Sequence, residues 1–304
     1  MATRRTLASL SMMALAAYVL SCVPAFSSTA YAAPAPSADD LNQLEKDFRL
    51  ASGLLYAQTD DGGFRMMCTV TAFAKKGKKY HFVTAAHCVA DDDTQHERVD
   101  VAKTNWFITF DEPGNKNLVE AKVIGVGYQH RGDDFAVLEV DLAKDVPTIP
   151  LADNDPQLGE DISNFASPLG LGKQLFRGHV SMEKLDRPVI QDSINWKGAT
   201  LVQMSSGPGS SGSAIVSQHQ KGIVAFLVGV IGSRGSANIV TIPVGRFKKF
   251  WTEVQAGTYK WYKPDTESLA APSGTAKVKK LWSHIHIQGI VYRIEGESED
   301  APAK

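Results

Sequence analysis

From about Gly63 onward the chain runs in short β-rich stretches, each closed off by Gly, Asp, Asn or Pro. The runs read as strands are Met67–Ala74, His81–Thr84, Asn105–Phe110, Leu118–Val126 and Asp134–Val140. After the Pro147–Pro150 break come Asp161–Ala166, Gln174–Met182, Thr200–Met204, Ser213–Val216, Ile223–Ile231 and Asn238–Ile242. About a dozen short strands with turn residues between them predict a sandwich or barrel rather than alternating βα units. Two helices fit the pattern. Asp39 to about Leu50 carries Leu41, Leu44 and Phe48 at helical spacing, and Val244 to Gln255 carries Phe247, Phe250, Trp251 and Val254 on one stripe. No solenoid or propeller repeat is visible. The stretch after Gly257 is polar and turn-rich, with one alternating run at Ser283–Arg293.

The first 32 residues have export character. Arg4 and Arg5 precede an apolar stretch from Leu7 to about Val23, and Ala30-Tyr31-Ala32 precedes Ala33. A basic start, an apolar middle and small residues before a cut predict a signal peptide cleaved after Ala32, and a secreted or periplasmic mature chain. The rival reading is an uncleaved anchor, since the apolar run just reaches spanning length. Thr3-Arg4-Arg5-Thr6-Leu7 half-matches a twin-arginine signal, so the export route stays open.

Cleavage removes Arg4 and Arg5 and no acidic residue, moving the net charge from −1 to −3. Neither value gives the cationic field that a nucleic acid or an anionic membrane would need. Cleavage also removes Cys22 and leaves Cys68 and Cys88. In an oxidising compartment this pair is expected to form a disulfide worth about 3 kcal/mol on the chain-entropy model, with two free thiols as the alternative.

Three stretches carry chemistry. Val83-Thr84-Ala85-Ala86-His87-Cys88 ends a strand with a histidine beside a cysteine. Asp134-Phe135-Ala136-Val137-Leu138 opens a strand with a carboxylate, and Pro208-Gly209-Ser210-Ser211-Gly212-Ser213 is a small-residue turn feeding an apolar strand. A serine hydroxyl attacks an amide only when an imidazole takes its proton, and a carboxylate orients that imidazole. Glycines around Ser211 allow a tight turn in which the Gly209 and Ser211 amides point into one space, as an oxyanion hole requires.

In these stretches the chain resembles the chymotrypsin-like (trypsin-like) serine proteases. The motifs occur in that family's order of His, Asp and Ser, over roughly residues 56 to 256. Asp-Phe-Ala-Val-Leu and Pro-Gly-Ser-Ser-Gly are similar to the bacterial Deg-type branch, and Gly-Ser-Ser-Gly-Ser to the glutamyl endopeptidases. The resemblance implies an all-β fold of two perpendicular six-stranded antiparallel barrels, about 56–150 and 151–242, followed by a helix at 244–255. It implies a triad in the cleft between them: His87 and Asp134 from the first barrel, Ser211 from the second. It also implies a protein or peptide substrate and no cofactor or metal. Residues 33–55 are then a leader or pro-segment, and 257–304 a tail with no assigned role or oligomeric consequence.

Several positions have rivals. Asp133 competes with Asp134, although strand period favours Asp134. His284 and His286 share a strand face, but no third metal ligand is recognisable. Lys277, Lys279 and Lys280 read as solvated surface, as do Asp91-Asp92-Asp93. Two features depart from the digestive branch: Ser210 stands where an aspartate precedes the nucleophile, and no Ile-Val-Gly-Gly-type start is present. The tail is too short for the peptide-binding module of Deg-type enzymes. Ser205, six residues before Ser211, falls at the base of the specificity pocket; without an aspartate there, a basic side chain has no charge partner. The strand Leu227-Val228-Gly229-Val230-Ile231-Gly232 lacks the histidine of glutamyl-specific relatives. An apolar residue before the scissile bond is the remaining expectation. The competing functions are a catalytically inactive binding protein on the same scaffold and, less well matched, an α/β-hydrolase esterase.

Overall fold

The computed structural model describes residues 41–90, 104–110, 117–129, 132–186, 190–191, 194–233, 236–259, 283–287 and 290–294. The export segment, the Asp91–Asp93 loop, His130 and the lysines at 277, 279 and 280 lie outside these residues. Chain contacts separate Met1–Leu41 from Asn42–Lys304, and every element below belongs to the second unit.

Helix α1, Gln43–Ala51, opens at a capping box: the Asn42 side chain accepts from the Glu45 N–H (2.9 Å), and the Glu45 carboxylate accepts from the Asn42 N–H (3.2 Å). The described helix therefore begins at Gln43, where Asn42 and Glu45 satisfy each other's backbone amides; Asp39 lies outside the described residues. Phe48 packs edge-on against Phe165, with ring centroids 5.4 Å apart. Glu45 is buried and receives both Nε and Nη2 of Arg177 at 2.8 and 2.9 Å. A buried carboxylate of this kind is tolerated because a fork of donors replaces its water.

The chain then enters the first barrel: β1 (Ser52–Gln58), β2 (Phe64–Lys76), β3 (Lys79–Thr84), β4 (Trp106–Thr109), β5 (Val119–Val126) and β6 (Ala136–Asp141), closed in the order β1-β2-β3-β6-β5-β4. The second barrel holds β7 (Asp161–Ala166), β8 (Gln174–Met182), β11 (Thr200–Gln203), β12 (Ala214–Ser217), β13 (Gly222–Ser233) and β14 (Ser236–Pro243), closed as β11-β14-β13-β12-β7-β8. The short strands β9 (Ile190–Gln191) and β10 (Ile194–Asn195) pair with each other, and all strand pairs within the barrels are antiparallel. This is the chymotrypsin-like architecture that the resemblance implies.

Strand β1 is absent from the strands expected on sequence. Its first six residues are all buried, so it lacks the in–out alternation of a one-faced strand. A hairpin of β15 (Ser283–Ile287) and β16 (Ile290–Ile294) forms where the alternating run stands.

Helix α2, Val244–Gln255, follows the second barrel but returns its apolar stripe to the first. Phe247 and Trp251 pack edge-on against Phe73 of β2, and a Cβ on Gly125 of β5 would lie 2.8 Å from the Val254 side chain. The helix therefore ties the two barrels together. Among the described residues no helix is long and apolar enough to cross a membrane.

His81 of β3 sits beneath this helix, its ring 4.9 Å from Trp251 and its Nε2 3.6 Å from a Glu139 oxygen. Burial pushes its imidazole below the ordinary histidine range; the Glu139 carboxylate opposes that shift, while Lys79 and Lys76 add to it. The folded chain thus prefers neutral His81, whereas the unfolded chain takes up a proton near the usual value of about 6.5. The stabilisation is full above that value and is lost as pH falls through the lower folded pKa. Denaturant midpoints measured at pH 7.5 and pH 5 are expected to fall on acidification, and to fall less in His81→Gln.

Candidate active site

The pairing of β3 with β6 sets Thr84 opposite Ala136. Continuing that register past both strand ends brings the 3₁₀ turn Ala86–Cys88 alongside the residues leading into β6. There the buried Asp134 carboxylate meets His87 twice. One oxygen accepts the His87 backbone N–H at 2.9 Å, and the other lies 2.7 Å from Nδ1. An ionised carboxylate only accepts, so this contact suits a proton on Nδ1 and turns the ring so that Nε2 is the nitrogen not engaged by Asp134.

Asp133 has a different partner. Its carboxylate pairs with Arg246 of α2 at 2.8 Å, outside the His87 contact. Adjacent carboxylates are thus split between fixing the helix and orienting the imidazole.

Ser211 lies in the turn between β11 and β12 of the second barrel and is 3% exposed. Its carbonyl accepts from the Thr69 N–H of β2 at 3.1 Å, a bond that crosses from one barrel to the other. Gly212 has φ +80, and a Cβ there would sit 2.2 Å from Thr84 Oγ1 and 2.5 Å from the Ala85 nitrogen. Only glycine allows the Ser211 turn to press this closely against the strand end that leads into His87. Inside the turn, the Ser210 N–H donates to the Gly207 carbonyl (3.0 Å), and both the N–H and hydroxyl of Ser213 donate to the Ser210 carbonyl (3.1 and 2.6 Å). Asn164 of β7 donates to Ser213 Oγ (2.8 Å) and to the Ala214 carbonyl (2.6 Å), holding the turn from below. Among the described residues, the amides of Gly209 and Ser211 donate to no protein acceptor.

Cys68 and Cys88 form a disulfide with Cα atoms 6.0 Å apart. It joins β2 to the turn that holds His87. Cys68, His87 and Cys88 form a cluster of metal-ligand type, but two of the three sulfur or nitrogen donors are committed to the disulfide and offer no thiolate. Ser205 is exposed at the start of the loop, and its neighbour Ser206 has a buried hydroxyl with no hydrogen-bond partner among the described residues.

Neither Thr69 nor Asn164 stands out in the sequence. A threonine in a strand reads as ordinary β-former, and Asn164 lies inside a run chosen for its apolar neighbours, so neither gave a local signal.

With this geometry in view, comparison with protein families matches residues 68–230, more than half the chain, to the model described as "Trypsin-like peptidase domain". The chain belongs to the trypsin-like peptidase family. Among solved structures, this peptidase is similar to the serine endoprotease from Yersinia pestis, with a TM-score of 0.51 and 18% identity over 70% of this chain. The alignment spans 65% of that protein's length, and the likeness is one of fold. No curated protein matches the chain.

Proposed function

We propose that this peptidase is an exported serine endopeptidase. The observation that carries the reading is the doubly bonded His87–Asp134 pair, with the Ser211 turn packed against the same strand end. Ser211 Oγ attacks the peptide carbonyl as His87 Nε2 takes its proton, and Asp134 stabilises the resulting imidazolium. The Gly209 and Ser211 amides, which donate to no protein acceptor among the described residues, receive the developing oxyanion. Collapse of the tetrahedral intermediate returns the proton from His87 to the leaving amine and leaves an acyl group on Ser211. Water, activated by His87, then hydrolyses that ester. No step calls for a metal or cofactor.

The substrate is a protein or peptide with an apolar residue before the scissile bond, because neither Ser205 nor the Leu227–Gly232 stretch supplies a charge for an ionic side chain. The export character of residues 1–32 supports work in the periplasm or outside the cell, and the near-neutral net charge of −1 supports a protein or peptide rather than a nucleic acid as the partner.

A mixed peptide library digested by the purified protein tests this reading. Internal cuts that follow apolar residues are expected, and loss of all cutting in His87→Ala. An intact library under conditions where the chain is folded would favour the inactive binding protein instead.

A further inference from the structure

Thr69, the residue after Cys68 on β2, is 1% exposed, and all of its hydrogen-bonding groups go to segments around the site. Its N–H donates to the Ser211 carbonyl (3.1 Å), and its own carbonyl accepts from Thr84 Oγ1 (3.0 Å), three residues before His87. Its hydroxyl donates to the Gly209 carbonyl at 2.8 Å and accepts from the Ser167 N–H at 3.1 Å. A threonine hydroxyl has one proton to give, so the two side-chain bonds are mutually consistent.

The Gly209 bond has the larger consequence. Gly209 has φ +92, where an L side chain is disfavoured, and a Cβ there would lie 2.9 Å from the Ser167 carbonyl oxygen. Glycine is required at this position, yet glycine by itself allows its flanking peptides to rotate. Both peptides are held from outside. The Pro208 carbonyl accepts from the Leu169 N–H at 2.5 Å, fixing the plane that contains the Gly209 N–H. On the other side, the Gly209 carbonyl accepts from Thr69, while the Ser210 N–H of the same peptide is bound to Gly207. Leu169 itself adopts φ +55, an unfavourable backbone for leucine, which marks the 167–171 segment as held in place by its surroundings.

We propose that Thr69 is a positioning residue for the oxyanion-binding amides: its hydroxyl, fixed by Ser167, locks the Gly209 carbonyl so that the Gly209 and Ser211 N–H groups converge on one point. The inference rests on the serine-protease reading of the site. The first barrel thereby takes part in aligning a turn that belongs to the second. Adjacent residues of one strand serve the two halves of the machinery, Cys68 bracing the His87 turn and Thr69 the Gly209–Ser211 turn.

The full-length protein is treated with a fluorophosphonate probe, whose P=O oxygen must enter the oxyanion site for Ser211 to be phosphonylated with loss of fluoride. Thr69→Val keeps the β-branched shape and backbone bonds but removes the hydroxyl, and Thr69→Ser keeps the hydroxyl. Labelling is expected to slow at least tenfold in Thr69→Val and to stay within about threefold of wild type in Thr69→Ser. Denaturant midpoints measured in parallel separate a folding defect from a misaligned site. Where Thr69→Val does not fold, Thr69→Ala is read against Thr69→Ser by the same criterion. Wild-type rates in a folded, hydroxyl-free variant would overturn the role of Thr69, and so would equal slowing in Thr69→Ser. Wild-type protein that resists the probe altogether would instead overturn the serine-protease reading.

Discussion

Ser211→Ala is expected to leave both barrels folded while lowering peptide hydrolysis by roughly four to six powers of ten. The size follows from the arrangement. Removing the hydroxyl leaves His87 no proton to take and the carbonyl no nucleophile, so the Asp134–His87 pair and the oxyanion amides lose most of their effect together. The structural cost is small, because the contacts that hold the Ser211 turn are made by its backbone: the Ser211 carbonyl to Thr69, Gly212 against Thr84, and the Gly212 N–H to the Leu227 carbonyl at 2.8 Å. Initial rates on a peptide cut by the wild type, with circular dichroism and denaturant midpoints beside them, separate the two effects. A variant retaining a tenth of wild-type turnover would exclude Ser211 as nucleophile.

Phe135→Ala is expected to cost about 3–5 kcal/mol of stability. Phe135 is fully buried directly after Asp134, where the two barrels and α2 meet. Its ring lies 5.6 Å from Phe226 of the second barrel and 5.2 and 5.8 Å from Phe247 and Phe250 of the helix. Truncation empties the space between three elements that cannot all close on it, so both the transfer and the cavity costs apply. Its backbone also anchors the Asp134 segment, since the Phe135 carbonyl accepts from the Gly127 N–H at 2.6 Å. Activity should therefore fall even under conditions where the variant remains folded. Urea unfolding of Phe135→Ala and Phe135→Leu gives the test. A loss below about 1 kcal/mol for alanine would show that the barrels are joined elsewhere.

The legible part of this chain was the part written in local chemistry. Turn residues between β-rich runs gave an all-β sandwich or barrel, and the two-barrel form came only from the resemblance carried by the stretches around His87, Asp134 and Ser211, contiguous words whose glycines and small residues announce a shaped backbone. The choice between Asp133 and Asp134 rested on strand period, and the structure places the first on Arg246 and the second on His87. What stayed hidden depends on partners distant in sequence. Strand β1 is buried on both faces, so its composition carries no alternation. Glu45 looks like a surface helix residue until Arg177, 132 positions away, covers it. Thr69 differs from any strand threonine only through Ser167 and Gly209, 98 and 140 residues further on. Residue type and spacing report a face or a turn, but they do not report which distant backbone group a hydroxyl will meet.

Ser211 alone among the serines is expected to be made nucleophilic by His87 and Asp134. Reaction of the purified protein with a fluorophosphonate, followed by mass-spectrometric mapping of the modified peptide, reads this out. A single adduct is expected on Ser211, disappearing in His87→Ala and strongly reduced in Asp134→Asn. An unmodified folded protein, or an adduct on another serine, would contradict it.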